Sequence, residues 1–443
     1  MKKRFQQRQT DCTYTVLSHI PTIAQQLMDD FDVESIFANL QKAKHVNKEN
    51  SNDATTNTAS PNTPVLVNNN DVTPSPVVLV NDNNESTTLT PSSSVVLVDR
   101  PNESDSEIAK VTETTTHSRE NNNESNSSNT SQESGPNSPL RSPVNTSEET
   151  DRMSKQQRLE LWTEIKFKSF IRTIAAVYLE TLLTLIIFIQ LNLLGRYNYL
   201  YSVSLTERDK EQMITVKPYN GSLLNAVTEQ KYLTCIGWFL NVGYKEIVAR
   251  VSAAVESSLS SMSFKNELSY QDFVWLISEI RSKIEGADIT DNDGPAHKFF
   301  NVMMPENLSD EIRILNECGG NMFDATIDSN LRKLLDETKD FIHSRDFATV
   351  LSACLKTSFN LLYQDMHHHF YYDDQSSGNR IEKNITLAKL LPHITKEAHY
   401  ILNGVPPKFL ETIKDCNELQ ALSAIIYASF DNEPEMNLQN SQN

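Results

Sequence analysis

The feature that most constrains this fold is a long helical segment that becomes apolar on nearly every side. Across residues 157–194, apolar side chains recur three and four positions apart, which predicts one continuous helix. From Thr173 onward the apolar residues surround the whole helix. Such a helix is either buried in the core of a large protein or spans a membrane.

The two alternatives differ in how many polar groups the segment carries. A membrane span needs ~20 apolar residues, whereas the uncharged run of residues 181–195 has only 15. Glu180 lies just before this run, and Gln190 and Asn192 lie near its end. We therefore favour the buried central helix of a soluble bundle, although hydropathy alone would flag the segment as a span.

A low-complexity stretch divides the chain. In residues 51–150, 59 of 100 residues are Ser, Asn, Thr or Pro, and Phe, Trp, Tyr and Cys are absent. Such a stretch cannot bury enough apolar surface to offset the entropy of ordering it. We predict the first helices in residues 1–45, a disordered insertion at 46–153, the main helical domain at 154–432 and a disordered tail at 433–443.

The remaining sequence predicts an all-α protein, a single large elongated helical bundle around the apolar helix. We expect about nine helices and no strand. Pro21 suits the first turn of a helix, and Ser269 and Gly286 suit the two ends of another. Residues 195–200 are expected to turn the chain, and residues 287–310 to form a loop.

Charge and cysteine usage exclude several functions. The net charge is −18, of which residues 51–150 contribute −10, and no face forms a basic stripe, so we predict no nucleic-acid partner. The five cysteines are scattered without a CxxC pair, which predicts reduced thiols and no zinc site. Phosphate-binding and hydrolase motifs are absent from the sequence, and we predict no cofactor.

Two features could suggest chemistry, and each has a simpler explanation. His367, His368 and His369 are consecutive, so on a helix they point ~100° apart and cannot converge on one metal ion. Glu180 is the one carboxylate within an apolar stretch. It could serve as a general acid with a raised pKa, or equally as a paired structural group. We predict that the chain is not an enzyme and holds no metal.

Trp162 is the residue that most resembles a binding anchor. It lies early in the long helix among charged neighbours, including Arg158, Glu160, Glu164 and Lys166. An aromatic ring surrounded by charges can anchor a peptide, while composition alone favours an ordinary core tryptophan. The residues leave both alternatives open.

Several separated blocks resemble the peroxin-3 family, in the family's order. The central blocks are Leu159-Glu160-Leu161-Trp162, Tyr178, Gln190-Leu191-Asn192-Leu193-Leu194-Gly195 and Tyr199-Leu200. Further blocks are Thr15-Val16-Leu17-Ser18, Met303-Met304-Pro305, Leu334-Leu335-Asp336-Glu337-Thr338, Asp346-Phe347-Ala348-Thr349-Val350-Leu351, Leu387-Ala388-Lys389-Leu390-Leu391-Pro392 and Ile426-Tyr427-Ala428-Ser429-Phe430. The resemblance covers nearly all of the sequence outside the insertion.

This resemblance implies a peroxisomal membrane protein whose all-helical domain faces the cytosol. Family members receive peroxin-19, the chaperone and import receptor for peroxisomal membrane proteins, whose N-terminal amphipathic helix lies in an apolar groove. The groove residues carried over by position are Trp162, Leu40, Phe37, Gln41, Arg158, Leu159, Asn198 and Phe264. The family often has an aliphatic residue where Asn198 stands, and Lys where Arg158 stands.

The resemblance also implies an N-terminal membrane anchor of about fifty residues, and this sequence begins just after it. We expect a truncation, because Lys2-Lys3-Arg4-Phe5 is similar to sequence inside the family's first helix. An alternative function is an organelle-tethering scaffold for inheritance or pexophagy adaptors, which would bind through the insertion.

Overall fold

A computed structural model describes residues 2–52, 154–210, 224–286, 294–320, 322, 324–373 and 380–429. The chain divides into two units, of which one comprises residues 1–54 and 149–443 and the other residues 55–148. The predicted disordered tail and residues 53–153 of the predicted insertion lie outside the described residues. The domain boundaries proposed from composition therefore stay predictions.

The first half of the described chain consists almost entirely of helices. They are α1 (Lys2–Asp30), α2 (Val33–Asn52), α3 (Lys155–Lys210), α4 (Ala226–Thr234), α5 (Ile236–Trp238), a π-helical turn (Phe239–Gly243), α6 (Tyr244–Leu259) and α7 (Tyr270–Glu285). A two-residue strand, β1 (Glu267–Leu268), precedes α7.

The second half adds further helices and three short strands. They are α8 (Gly294–Met303), α9 (Leu308–Gly319), α10 (Ser329–His343), α11 (Arg345–His367), a 3-10 turn (His368–Phe370), β2 (Tyr371–Asp373), β3 (Arg380–Glu382), β4 (Ile385–Thr386), α12 (Leu387–Asn403), α13 (Lys408–Lys414) and α14 (Asn417–Ala428). The all-α class is confirmed.

Helix α3 is the centre of the fold. It contacts α1, α2, α6, α11, α12, α13 and α14, and every residue from Ser169 to Arg196 is buried. Its most apolar 18-residue window has a mean hydropathy of 2.1, enough for a membrane span, yet that whole window is buried within the protein. The prediction of a buried, nearly all-apolar central helix is confirmed, because protein side chains cover this helix where lipid would otherwise have to.

Local capping explains where α7 begins and ends. The Ser269 side chain accepts a hydrogen bond from the Asp272 backbone N–H, and the Asp272 carboxylate accepts one from the Ser269 backbone N–H. Gly286 ends the helix with φ of +66°, a conformation that glycine adopts without steric cost. The predicted helix between Ser269 and Gly286 is confirmed.

Two expectations, a chain turn after Gly195 and a helix start at Pro21, are wrong. Residues 195–200 continue α3 to Lys210; a Cβ at Gly195 would lie 2.8 Å from the Tyr427 ring, so this glycine allows close packing within the helix. Pro21 lies inside α1 instead of at its start. Helix α1 continues past it because buried residues on both sides, Ile20 and Ile23, pack into one core.

The expected loop at residues 287–310 is also wrong in its described part. Residues 294–303 form α8, and α9 begins at Leu308 after the Asn307 side chain accepts a hydrogen bond from the Asp310 N–H. The described residues hold fourteen α-helical segments instead of about nine. They also hold two small antiparallel pairs, β1 with β4 and β2 with β3, where no strand was expected.

One buried carboxylate joins two helices of the second half. Glu311 of α9 has no exposed side-chain surface, and it binds Arg332 through two hydrogen bonds of 2.6 and 2.9 Å. Lys339 donates to the same carboxylate at 2.6 Å. Despite burial, these two cations of α10 hold the pKa of Glu311 below its ordinary value.

Candidate partner-binding surface

Three aromatic rings meet at the surface of the bundle, one from α2, one from α3 and one from the turn between α6 and β1, and we call them the Trp162 cluster. The Trp162 ring lies 6.1 Å from the Phe37 ring, nearly perpendicular to it at 87°. It lies 6.1 Å from the Phe264 ring at 55°. These edge-to-face and tilted arrangements are the favourable ones for aromatic pairs. All three side chains are half-buried, so the cluster keeps accessible aromatic surface.

Helical spacing brings four more of the predicted residues beside the cluster. Arg158 and Leu159 precede Trp162 by one turn of α3, and Leu40 and Gln41 follow Phe37 by one turn of α2. Leu159 is 52 % exposed, whereas Leu40 is buried and supports the surface from below. Seven of the eight predicted residues thus lie on α2, on the start of α3 or in the turn after α6.

The eighth residue, Asn198, does not belong to this surface, which corrects the prediction. It follows Trp162 by 36 positions within the continuous helix α3. At 1.5 Å per residue, this spacing corresponds to ~54 Å along the helix axis. The expectation came from the position of Asn198 in the family resemblance, and the continuous helix places it far from Trp162.

Lys166 positions Phe264, a role that sequence reasoning missed. Its ammonium donates to the carbonyl oxygens of Leu259 (2.8 Å) and Met262 (3.0 Å), just where α6 ends. The same ammonium lies 5.5 Å from the centre of the Phe264 ring. Burial lowers the pKa of this lysine. In the sequence Lys166 reads only as one more charge near Trp162, because its partners lie over ninety residues away.

A buried ion pair holds α2 against α3. Arg172 has no exposed surface, and its guanidinium donates two hydrogen bonds of 2.7 Å to the Glu34 carboxylate. It also donates to the carbonyl oxygens of Phe31 and Thr395, at 3.2 and 3.3 Å. These bonds to Arg172 lower the pKa of Glu34 to about 2. The pair lies one helical turn from Phe37 and therefore positions that ring relative to Trp162.

Glu180 and the three consecutive histidines, which the sequence analysis weighed for chemistry, are not part of the Trp162 cluster. Glu180 is fully buried, and burial raises its pKa well above the ordinary value, so a neutral carboxyl is favoured. The centre of the His369 ring lies 3.8 Å from that of His368 and 3.7 Å from that of His393, and both pairs of rings are tilted. Burial, with neighbouring charges, lowers the pKa of His369 to about 4. Within the described part of the chain, no group of three or more His, Cys, Asp or Glu side chains could hold a metal ion.

Comparison with known proteins places the chain in a family. The sequence model of the Peroxin-3 family matches residues 1–429. Peroxisomal biogenesis factor 3 of Bos taurus is 30 % identical over 284 residues, which cover 62 % of this chain and 71 % of that protein. The Homo sapiens protein of the same name is 28 % identical over 284 residues, with the same two coverages.

A fungal protein is also similar. Peroxisomal biogenesis factor 3 of Yarrowia lipolytica is 25 % identical over 319 residues, which cover 65 % of this chain and 73 % of that protein. The chain therefore belongs to the peroxin-3 family, whose curated relatives are named for peroxisome biogenesis.

Proposed function

We propose that this chain is a docking receptor at the peroxisomal membrane. In this proposal it binds peroxin-19 that carries newly made membrane proteins, with its helical domain facing the cytosol. Family membership supports a role in peroxisome biogenesis and an association with the peroxisomal membrane. The observation that carries the docking role is the Trp162 cluster, a half-buried tryptophan between two phenylalanine rings.

The surface has the chemistry that an amphipathic helix needs. Such a helix inserts apolar side chains spaced three and four residues apart into a hydrophobic groove. The cluster offers three rings, and the exposed Leu159 extends the apolar surface by one turn of α3. Gln41 and Arg158 supply polar groups at its edge. This combination of an aromatic centre and a polar rim is typical of binding hot spots.

The surface is also held in shape before any partner binds. The Arg172–Glu34 pair fixes α2, and the bonds from Lys166 fix the end of α6. In addition, the Phe264 carbonyl accepts a hydrogen bond of 3.1 Å from the Ala388 N–H at the start of α12. Binding then costs little ordering of the receptor, which favours affinity.

Titration calorimetry with a peptide from the N-terminal helix of the same organism's peroxin-19 tests this proposal. Removal of a central aromatic anchor typically costs ~2–4 kcal/mol, so Trp162→Ala should weaken binding by roughly 30-fold or more. Trp275→Ala is the matched control, because Trp275 on α7 is 73 % exposed and outside the cluster. An affinity of the Trp162 variant within about twofold of wild type, with helicity unchanged by circular dichroism, would refute the proposal.

The alternative, a scaffold for inheritance or pexophagy adaptors, rests on the insertion at residues 46–153. Most of that segment lies outside the described residues. No described contact favours this alternative over docking, so it stays a prediction.

A further inference from the structure

Two of the five cysteines are far apart in the sequence and meet inside the bundle. Cys354 lies in the middle of α11 and has no exposed surface. Cys416 lies between α13 and α14, and 8 % of its surface is exposed. Their two thiols are hydrogen-bonded to each other. Both are free thiols, so this contact joins α11 to the start of α14 without a covalent bond.

Helix packing on both sides holds the two thiols together. Helix α11 packs against α13 and α14, and all three of these helices pack against α3. The Cys416 backbone N–H donates to the Ile413 carbonyl oxygen at 3.0 Å, and the Cys416 carbonyl oxygen accepts a bond of 3.1 Å from the Gln420 N–H. The backbone that carries Cys416 is therefore fixed by the ends of two helices.

The two thiols differ in acidity. Cys416 is the N-cap residue of α14, where the helix dipole favours a negative charge. The hydrogen bond from Cys354 lowers the pKa of Cys416, whereas the bond to Cys416, together with burial, raises the pKa of Cys354. Cys416 is therefore the thiol that ionises first, and the thiolate is the form that reacts with oxidants.

The surroundings of Cys416 also suit a reactive thiol. Its Sγ–H donates to a Glu418 carboxylate oxygen at 3.0 Å, and Glu418 is exposed. Cys416 thus lies at the edge of solvent with an acceptor for its proton beside it, while Cys354 is completely buried. An accessible thiol of low pKa with a second thiol poised to resolve it is typical of cysteines that sense oxidants.

We propose that Cys354 and Cys416 form a reversible disulfide when the protein meets hydrogen peroxide. The Cys416 thiolate attacks one peroxide oxygen, the O–O bond breaks, and Cys416 becomes a sulfenic acid. The hydroxide that leaves takes up the proton of the Cys416 thiol, by way of the Glu418 carboxylate, and becomes water.

The second step uses the buried thiol. The Cys354 sulfur attacks the sulfenic sulfur, the S–O bond breaks, and the oxygen leaves as a second water with the Cys354 proton. The two sulfur atoms together lose two electrons, and one hydrogen peroxide is reduced to two waters. Because the thiols are already hydrogen-bonded, the disulfide needs only a rotation about the side-chain bonds.

The disulfide ties the C-terminal helices to the rest of the bundle. It closes a loop that contains the end of α11 together with α12 and α13. Closing a long loop removes freedom from the unfolded chain and thereby stabilises the folded one. The oxidised protein should therefore unfold at a higher temperature than the reduced protein.

Peptide mapping of the whole chain tests the proposal. The parent protein carries Cys318→Ser, because Cys318 is exposed and would react without a partner. The folded parent is treated with hydrogen peroxide, its remaining thiols are blocked with N-ethylmaleimide, and the digest is analysed by mass spectrometry without reductant. We expect a peptide pair linked through Cys354 and Cys416 that separates after addition of dithiothreitol. Cys12 and Cys235 are internal controls and should stay reduced, since burial raises their pKa values to about 12.

Two further variants of the parent assign the roles of the two thiols. Dimedone, which traps sulfenic acids, should label Cys416 in Cys354→Ser, because the thiol that resolves the sulfenic acid is gone. It should leave Cys354 unlabelled in Cys416→Ser. Peroxide should raise the midpoint of thermal unfolding of the parent and leave that of Cys354→Ser unchanged. Circular dichroism verifies that each variant is folded.

Three results would overturn the proposal. The first is a folded parent that yields no linked peptide after peroxide, or yields it only in urea. The second is dimedone labelling of Cys354 with Cys416 unlabelled. The third is an unfolding midpoint that the disulfide does not raise. None of these results touches the docking proposal, because neither cysteine is part of the Trp162 cluster.

Discussion

The substitution Glu34→Gln tests how the docking surface is held together. It removes the charge opposite Arg172 and keeps the size of the side chain. Arg172 is fully buried and has no exposed surface to recover solvation, so the loss leaves an unpaired buried cation. We expect the variant to be less stable and α2, which carries Phe37, to be less firmly attached to α3.

The magnitude follows from the pKa of Glu34, which falls from an ordinary value of 4.5 to about 2. This difference corresponds to ~3.4 kcal/mol at ~1.36 kcal/mol per pKa unit. The Glu34 side chain is 54 % exposed, so solvent screening reduces the figure. We expect a loss of ~2 kcal/mol in the free energy of unfolding at neutral pH.

The pH dependence has a definite sign. Because the folded-state pKa lies below the unfolded-state value, the stabilisation is fully present above about pH 4.5. It is lost as the pH falls from about 4.5 towards 2. The difference between wild type and Glu34→Gln should therefore be constant near neutrality and shrink below about pH 4.5.

Urea unfolding followed by circular dichroism, repeated at several pH values, measures this difference. Glu164→Gln is the matched control, because Glu164 forms an exposed pair of 2.8 Å with Lys168 on the same helix α3. Such a surface pair should contribute less than ~0.5 kcal/mol. A Glu34→Gln protein as stable as the control at neutral pH would refute the reasoning. So would a difference that stays constant into the acid range.

Three further predictions concern the rest of the bundle. Glu311→Gln should lower the free energy of unfolding by ~3 kcal/mol, because it leaves two cations of α10 beside a neutral buried group; a urea titration that shows no loss contradicts this. Gly286→Ala should cost ~1–2 kcal/mol in the same assay, because alanine at φ +66° is strained, and Gly286→Asn should cost less. Of three thiols compared by mass spectrometry after treatment with Ellman's reagent, the exposed Cys318 should react in the native protein. Cys12 and Cys235, whose pKa values burial raises to about 12, should react only on unfolding, and their rapid native labelling would contradict the buried core.

Local patterns predicted much of this fold correctly. The length and all-round apolarity of the segment that became α3 predicted a buried central helix, since no other arrangement covers such a surface without a membrane. Ser269 and Gly286 marked the ends of α7 because capping depends on residues within one helical turn. The resemblance of separated blocks to one family then pointed to Trp162 and its neighbours.

The predictions based on glycine and on loop composition were wrong where tertiary packing overrides local preference. Gly195 suggested a turn, yet it serves close contact with Tyr427 inside a helix. Asn198 was carried over from the family resemblance, and the length of α3 between it and Trp162 was evident only in the structure. Residues 294–303 form a helix, although their sequence had predicted a loop.

The groups that shape the candidate docking surface could be identified only in three dimensions. Arg172 and Lys166 are ordinary charges in the sequence, and their roles depend on partners contributed by other segments of the chain. Periodicity and capping are properties of neighbouring residues, so a chain carries them in its linear order. The burial of a charge, and the meeting of rings from three segments, arise only when distant parts of the chain pack against one another.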